Sequence, residues 1–542
     1  MTQQTKMNRR KFVTVGAGAV TVAAAAAAGY YYATSGPPST VVETTPITIV
    51  QTVVPKPKYG GKLVVATQGP TENLDPAITP SVSSYQLLMH TNEGLVQTTT
   101  SGDISPVLAE SWEPKDGGKT WDFKLRQGVK FHNGQELTAD DVVFTFQRLL
   151  DQKAVASWLP NLQSVEKVDN YTVRFTNSQP FAAMLIGLAY ERCIIIPKTT
   201  DKIDFATTAI GTGPFRLAER QVGVLERFVA NKDYWGKDAD GNRLPYVDEM
   251  DWTPTTDATV RFLTFRGGKA DFIVAVDPKD FPALQREPNT TVYQTWGFIP
   301  IVCFDTKSKI FSSQKLRRAV SYAIDRREIM DLVLRGLAEE QQGSIMRPDN
   351  KYYYPVPTAV YDPDKAKQLI IDAGYPSGLK VTMLTYQFWP AGDVSKVVID
   401  QLKRVGIQAE LNNMDLGVYI DKIIINNWDN HTQDGIAVNI DGHFVDPAIE
   451  LNLFFHSKGS FNWWGPYERP ELDKLLDQGA AELDADKRVE IYKQAQTLQA
   501  EDPAQIPICT MYKVQGQKTY VKGNFFQDGY NYPIWSNLWL EK

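Results

Sequence analysis

From residue 59 to the C-terminus the sequence switches repeatedly between two spacings. Apolar residues alternate one in two, then recur at three and four, with no low-complexity interruption. That alternation confines the head of the chain to a mixed α/β or α+β architecture. Gly60-Gly61 opens a strand over 62–67, and Trp121, Phe123 and Leu125, like Tyr171, Val173 and Phe175, mark half-buried strands. Another strand is read over 381–385. Thr138-x-x-Asp141 is a capping box that starts a helix with Val142, Phe146 and Leu149 inward, so the adjacent acids Asp140 and Asp141 are explained by cap chemistry. Leu316, Ala319, Val320, Ala323 and Ile324 form one helical stripe, and Asp325-x-x-Glu328 caps the next helix. Pro363 and Pro470 each open a helix, and Asp484 caps a long one. No repeat of 20 to 50 residues is present, which argues against a solenoid or propeller.

Ahead of this head the chain is different. Arg9-Arg10-Lys11 precedes an uncharged Ala/Val/Gly-rich run over 12–33, which resembles a twin-arginine export signal; an ordinary signal-anchor helix is the alternative. Residues 34–58 hold six Thr, five Pro and five Val, a composition that cannot bury a core and reads as an extended linker of up to about 75 Å. A stalk suits a retained anchor, so the expectation is an exported, extracytoplasmic head tethered to a membrane by its first 33 residues. The formal net charge is −6, and residues 1–33 carry four cations and no acid, so the head is more acidic still and a nucleic-acid partner is excluded.

Catalytic and metal signatures are missing. There is no G-x-S-x-G, no H-E-x-x-H and no pair of closely spaced cysteines, and Gly118-Lys119-Thr120 fails as a phosphate loop because Glu113 stands where glycine is needed. His431, His443 and His456 fit no common metal spacing, and Cys193, Cys303 and Cys509 read as small buried hydrophobes. The expectation is a protein that is not an enzyme and carries no cofactor or resident metal.

The stretch at 108–148, LAESWEPKDGGKTWDFKLRQGVKFHNGQELTADDVVFTFQR, closely resembles the signature of family 5 extracellular solute-binding proteins. These are the dipeptide, oligopeptide and nickel receptors of ABC importers. Further stretches resemble later motifs of that family in the same order: 211–215 (GTGPF), Asn231-x-x-Tyr234-Trp235, 261–272, 315–326 (KLRRAVSYAIDR), 361–375 and 470–502. The resemblance implies an α/β, two-lobed periplasmic-binding-protein-like fold of type II, in the large class with an extra subdomain. Lobe I would comprise 59–298 plus 513–542, with 101–204 as the inserted subdomain, and 299–512 would form lobe II. Two crossover strands would join the lobes near 301–304 and 509–513. Cys303 and Cys509 would then lie on neighbouring hinge strands, where a disulfide is one reading.

The resemblance also implies a monomeric receptor that delivers its ligand to the transmembrane subunits of an ABC permease, with sensing without transport as the alternative. The ligand stays open at this stage. In peptide-binding relatives an acid several residues before an Asp/Glu-Pro pair neutralises the peptide ammonium; here His443 occupies that place before Asp446-Pro447, with Asp441 two residues earlier. Among 12 Trp, 24 Tyr and 24 Phe, Trp296, Trp389 and Trp463 are placed to offer flat faces to sugar rings. An oligosaccharide is therefore the alternative to an oligopeptide, and a nickel or other metal complex is a further one. The candidate cleft residues are Trp296, Trp389, Asp415, Asn439, Asp441, His443, Trp463 and Tyr512.

Overall fold

Three sheets carry the architecture of the computed structural model. It describes residues 56–79, 81–98, 103–198, 203–386, 389–425, 434–442, 444–462, 467–523, 526–527 and 533–541. The export signal and nearly all of the linker read from the sequence lie outside these residues. Among the described residues no helix is long and apolar enough to cross a membrane.

The largest sheet has eight strands. Lys62–Thr67 lies inside it, parallel to both Glu249–Pro254 and Phe272–Val276. A strand flanked on both sides and covered on both faces is an apolar run rather than a clean alternation, and Leu63, Val65 and Ala66 are fully buried. The sheet continues through Leu225–Ala230 and Phe215–Gln221 on one side, and through Cys509–Lys518 and Thr290–Trp296 on the other, with Ala338–Glu340 pairing on Cys509–Lys518.

A second sheet of five strands runs Ile407–Met414, Leu379–Tyr386, Gly435–Asp441, Ile299–Phe304, Gln505–Pro507. The chain leaves the large sheet after Trp296 and enters the second at Ile299, then returns between Pro507 and Cys509. The first passage thus lies upstream of the expected 301–304, because Ile299–Phe304 is already committed to pairing with Gly435–Asp441. The two passages run side by side, Gly297 N–H donating to Met511 O and Met511 N–H to Phe298 O, both at 2.8 Å. Cys193, Cys303 and Cys509 are buried and free, so the reading of a Cys303–Cys509 disulfide is corrected. Cys303 stands opposite Gln505 and Ala437, whereas Cys509 stands opposite Glu340.

The third sheet, four antiparallel strands in the order Ala109–Lys115, Thr120–Leu125, Thr172–Asn177, Leu162–Asp169, lies within the expected insertion. The helix Ala139–Asp151 covers it, started by the capping box read from the sequence, in which Thr138 N–H donates to Asp141 Oδ2 at 2.8 Å. Phe146 meets Phe175 at 4.8 Å between ring centroids and Phe175 meets Phe123 at 5.2 Å. Full burial of one such ring contributes about 2–3 kcal/mol. Asp140 is paired with Lys167 and Lys198 on the surface, in keeping with a structural rather than catalytic acid.

Candidate ligand site at the crossover strands

The register of the second sheet brings several of the expected residues together. Ile299 stands opposite Asp441, and Ile301 opposite Asn439. Asn439 is buried and its amide Nδ2 donates to Asp441 Oδ2. From the neighbouring strand the Tyr386 hydroxyl accepts from Ile440 N–H at 3.1 Å and donates to Asn439 Oδ1 at 3.4 Å. Tyr419, fully buried, packs its ring 4.8 Å from that of Tyr386. Asp441 therefore sits half-buried among aromatic and amide groups, and among the described residues it pairs with no cation. Burial pushes its carboxyl up to about 7, and the Asn439 hydrogen bond only partly opposes this. Burial also raises the nearby Cys303 thiol well above its ordinary value, with Asp441 adding to the effect.

A second group forms where the crossover leaves the large sheet. Trp296 and Tyr512 are register partners, and their rings stack with centroids 4.8 Å apart at 29°. Trp296 Nε1 donates to Asp349 Oδ2 at 2.8 Å and the Tyr512 hydroxyl donates to Glu339 Oε2 at 2.9 Å. Burial, then the Glu339 bond, pushes the Tyr512 hydroxyl up to about 12. Arg347, 1% exposed, donates from Nε to Asp349 Oδ1 at 3.1 Å and lies 5.8 Å from the Trp296 ring. Glu450 is buried, and burial holds its carboxyl well above the usual range despite the opposing charge of Arg347.

The remaining expected residues are dispersed. Asp415 is exposed and caps the short helix Leu416–Ile420, accepting from Gly417 N–H at 2.8 Å. Trp389 is exposed. His443 and Trp463 lie outside the described residues, as does His431. Arg347, Asp349, Glu339, Tyr386 and Glu450 were not picked out from the sequence. The first three lie in stretches without periodicity, where a short strand and irregular loops leave no pattern to read.

The aromatic excess has a plainer use than sugar binding. Trp121, Trp158, Trp252, Trp535 and Trp539 are all buried in apolar cores. Cavities of about 660, 400 and 540 Å³ occur, and none is lined by the expected site residues. Among the described residues no group of three His, Cys, Asp or Glu could hold a metal ion.

The sequence motifs turn out to hold the scaffold. Glu93 accepts from Thr212 Oγ1 at 2.7 Å, Tyr234 Oη at 2.8 Å and Trp235 Nε1 at 2.9 Å, joining two of them. A Cβ on Gly211 would lie 2.2 Å from Thr91 O, so only glycine fits that approach. Buried Arg317 donates to the carbonyls of Phe311 and Pro503, at 2.6 and 3.1 Å.

Residues 103–462 match the model of the bacterial extracellular solute-binding proteins, family 5, middle region. The chain belongs to this family. The solute-binding protein is 29% identical over 490 residues to "Di/tripeptide-binding protein 1" of Pseudomonas aeruginosa, covering 83% of this chain and 88% of that one. It is 28% identical over 476 residues to "Heme-binding protein A" of Haemophilus influenzae, covering 80% and 83%. Among solved structures it resembles the ABC transporter substrate-binding protein CtaP of Listeria monocytogenes, with a TM-score of 0.77, 25% identity, and 90% and 100% of the two chains covered. The solute-binding protein thus has the expected α/β, two-lobed type II periplasmic-binding-protein-like fold. Peptide and haem both occur in its relatives' names, so the shared fold leaves the ligand to the site residues.

Proposed function

We propose that this protein is the receptor of an ABC importer that captures short peptides outside the cell and delivers them to the transmembrane permease without chemical change. Its ligand lies between lobe I, residues 59–298 and 513–542 with the subdomain 101–204, and lobe II, residues 299–512. Segregation of the strands into two sheets joined by adjacent passages supports a division of this kind, with the return to lobe I near 508 rather than 513 because Cys509–Lys518 pairs in the large sheet. The ligand stabilises the closed arrangement because it touches both lobes only there. Residues 1–33 tether the head to the membrane through the linker 34–58.

The observation that carries the peptide reading is Asp441. A half-buried carboxylate that pairs with no cation among the described residues is costly to ionise, and a ligand ammonium would supply the missing charge. Asn439 and Tyr386 orient the carboxylate, while the Trp296–Tyr512 stack, backed by buried Arg347, lies at the crossover. The di/tripeptide relatives favour the same ligand class. An oligosaccharide is disfavoured because, of the tryptophans that suggested it, Trp296 already has one face on Tyr512 and Trp389 stands exposed.

The test is thermal stabilisation by a panel of dipeptides and tripeptides, measured on the parent and on Asp441→Asn. The parent should gain melting temperature by mass action, and the variant should show no gain while its unliganded melting point is unchanged or higher. An Asp441→Asn protein that responds to peptides like its parent would remove Asp441 from this role.

A further inference from the structure

The inserted subdomain is held firmly to the first lobe. Arg148 grips Asp75 with both guanidinium nitrogens, at 2.6 and 3.2 Å, and Ile195 N–H donates to Glu93 O at 2.8 Å. The same subdomain also meets the second lobe across a seam. Trp158 stands at its centre, 8% exposed, with its ring 4.2 Å from Tyr190 on its own side and 4.8 Å from Phe444 on the other. Ser157 Oγ lies 2.9 Å from Ser460 Oγ, and Ala182 N–H donates to Ala480 O at 2.8 Å. Beside these contacts the two faces leave the cavity of about 540 Å³, bordered by Ser157 and Phe181 from one side and by Asn452 and Ser460 from the other.

Phe444 belongs to the short connection between Asp441, which ends one strand, and Asp446, which caps the helix Pro447–Phe455. Asp446 is fixed independently, paired with buried Arg488 at 2.7 Å. Asp446 is therefore fixed by Arg488, and Phe444, two residues earlier, is gripped from the opposite lobe by Trp158. Any separation of the lobes breaks the second hold and leaves the first.

We propose that Trp158 is a positioning residue: it latches the closed lobes through Phe444, two residues before the Arg488-paired Asp446. The latch holds the lobes together without touching the ligand. It rests on the closing, two-lobed receptor proposed above, and its test can be read without any ligand. Loss of one well-packed aromatic pair is worth roughly tenfold in the balance between closed and open forms.

The experiment compares X-ray scattering of the unliganded full chain in three forms: the parent, Trp158→Ala, and Trp158→Ala carrying Ser157→Cys and Ser460→Cys. The native thiols are buried, so oxidation should act on the introduced pair. Trp158→Ala should be more expanded than the parent, oxidation should restore the compact radius, and dithiothreitol should release it. Trp158→Phe, which keeps a ring against Phe444, should stay compact, an outcome that loss of bulk stability alone would not give. Dipeptide dissociation from Trp158→Ala should be roughly tenfold faster than from the parent. A Trp158→Ala protein as compact as its parent, or an introduced pair that fails to cross-link, would overturn the latch. A receptor that shows the latch but ignores every peptide would count against the ligand reading alone.

Discussion

Asp441 and His90 show how one physical term, burial, acts with opposite sign on an acid and a base. The Asp441 carboxyl titrates near 7 in the fold and near 4 when unfolded, so the folded protein binds more protons between those values. Its contribution to stability is full at low pH and is lost as pH rises through 7. Asp441→Asn should accordingly stabilise the unliganded protein above pH 7, by roughly 1–3 kcal/mol, in denaturant titrations at pH 8. Ligand binding runs the other way, since only the ionised carboxylate pairs with an ammonium: affinity for a dipeptide should fall about tenfold per unit below pH 7. His90 is fully buried, with Nδ1 2.8 Å from Gln86 O and its ring 4.9 Å from Trp535. Burial lowers it from 6.5 to about 4, so the unfolded chain takes up the proton first as pH falls. Stability should drop between about pH 6.5 and 4 by on the order of 3 kcal/mol from this residue, and His90→Phe should flatten that part of the pH profile.

At the scale of elements, the helices and their caps were the most legible part of the sequence. Pro363–Asp372 and Pro470–Ala481 begin at the expected prolines, and Asp484 caps Ala485–Glu501 by accepting from Asp486 and Lys487 N–H. These follow local rules, in which a side chain satisfies a free backbone donor a few residues away. The crossover was legible as a feature but displaced in position, because strand pairing at Ile299 is decided by Asp441, far along the chain. The same holds for the site: Asn439 and Asp441 were readable beside Asp446-Pro447, but Tyr386 joins them only through tertiary contact, as Arg347 joins Trp296. Two elements offer sharp tests. Gly479 lies against the Tyr492 ring, where a Cβ would come within 2.5 Å, so Gly479→Ala should cost about 1–3 kcal/mol by forcing the last two long helices apart. Arg488→Met removes the partner of buried Asp446 and should cost about 3–5 kcal/mol in urea unfolding, more than an exposed ion pair could.

For the whole molecule, the family motifs and the ligand residues divide the work. Glu93, Gly211, Tyr234 and Arg317 build the scaffold, which is why a sequence can declare its class while leaving its solute open. Much of the aromatic excess is spent on apolar cores, Trp296 is stacked on Tyr512, and near the crossover lies an acid that pairs with no cation among the described residues. The central claim is that this acid reads a peptide's free ammonium, and isothermal titration of one dipeptide beside its N-acetylated form tests it most directly. The account predicts measurable binding of the free dipeptide, with the acetylated form weaker by at least about a hundredfold, since an unpaired buried charge costs several kcal/mol. Equal affinity for the two forms, or heat only from cello- or xylo-oligosaccharides, would contradict it.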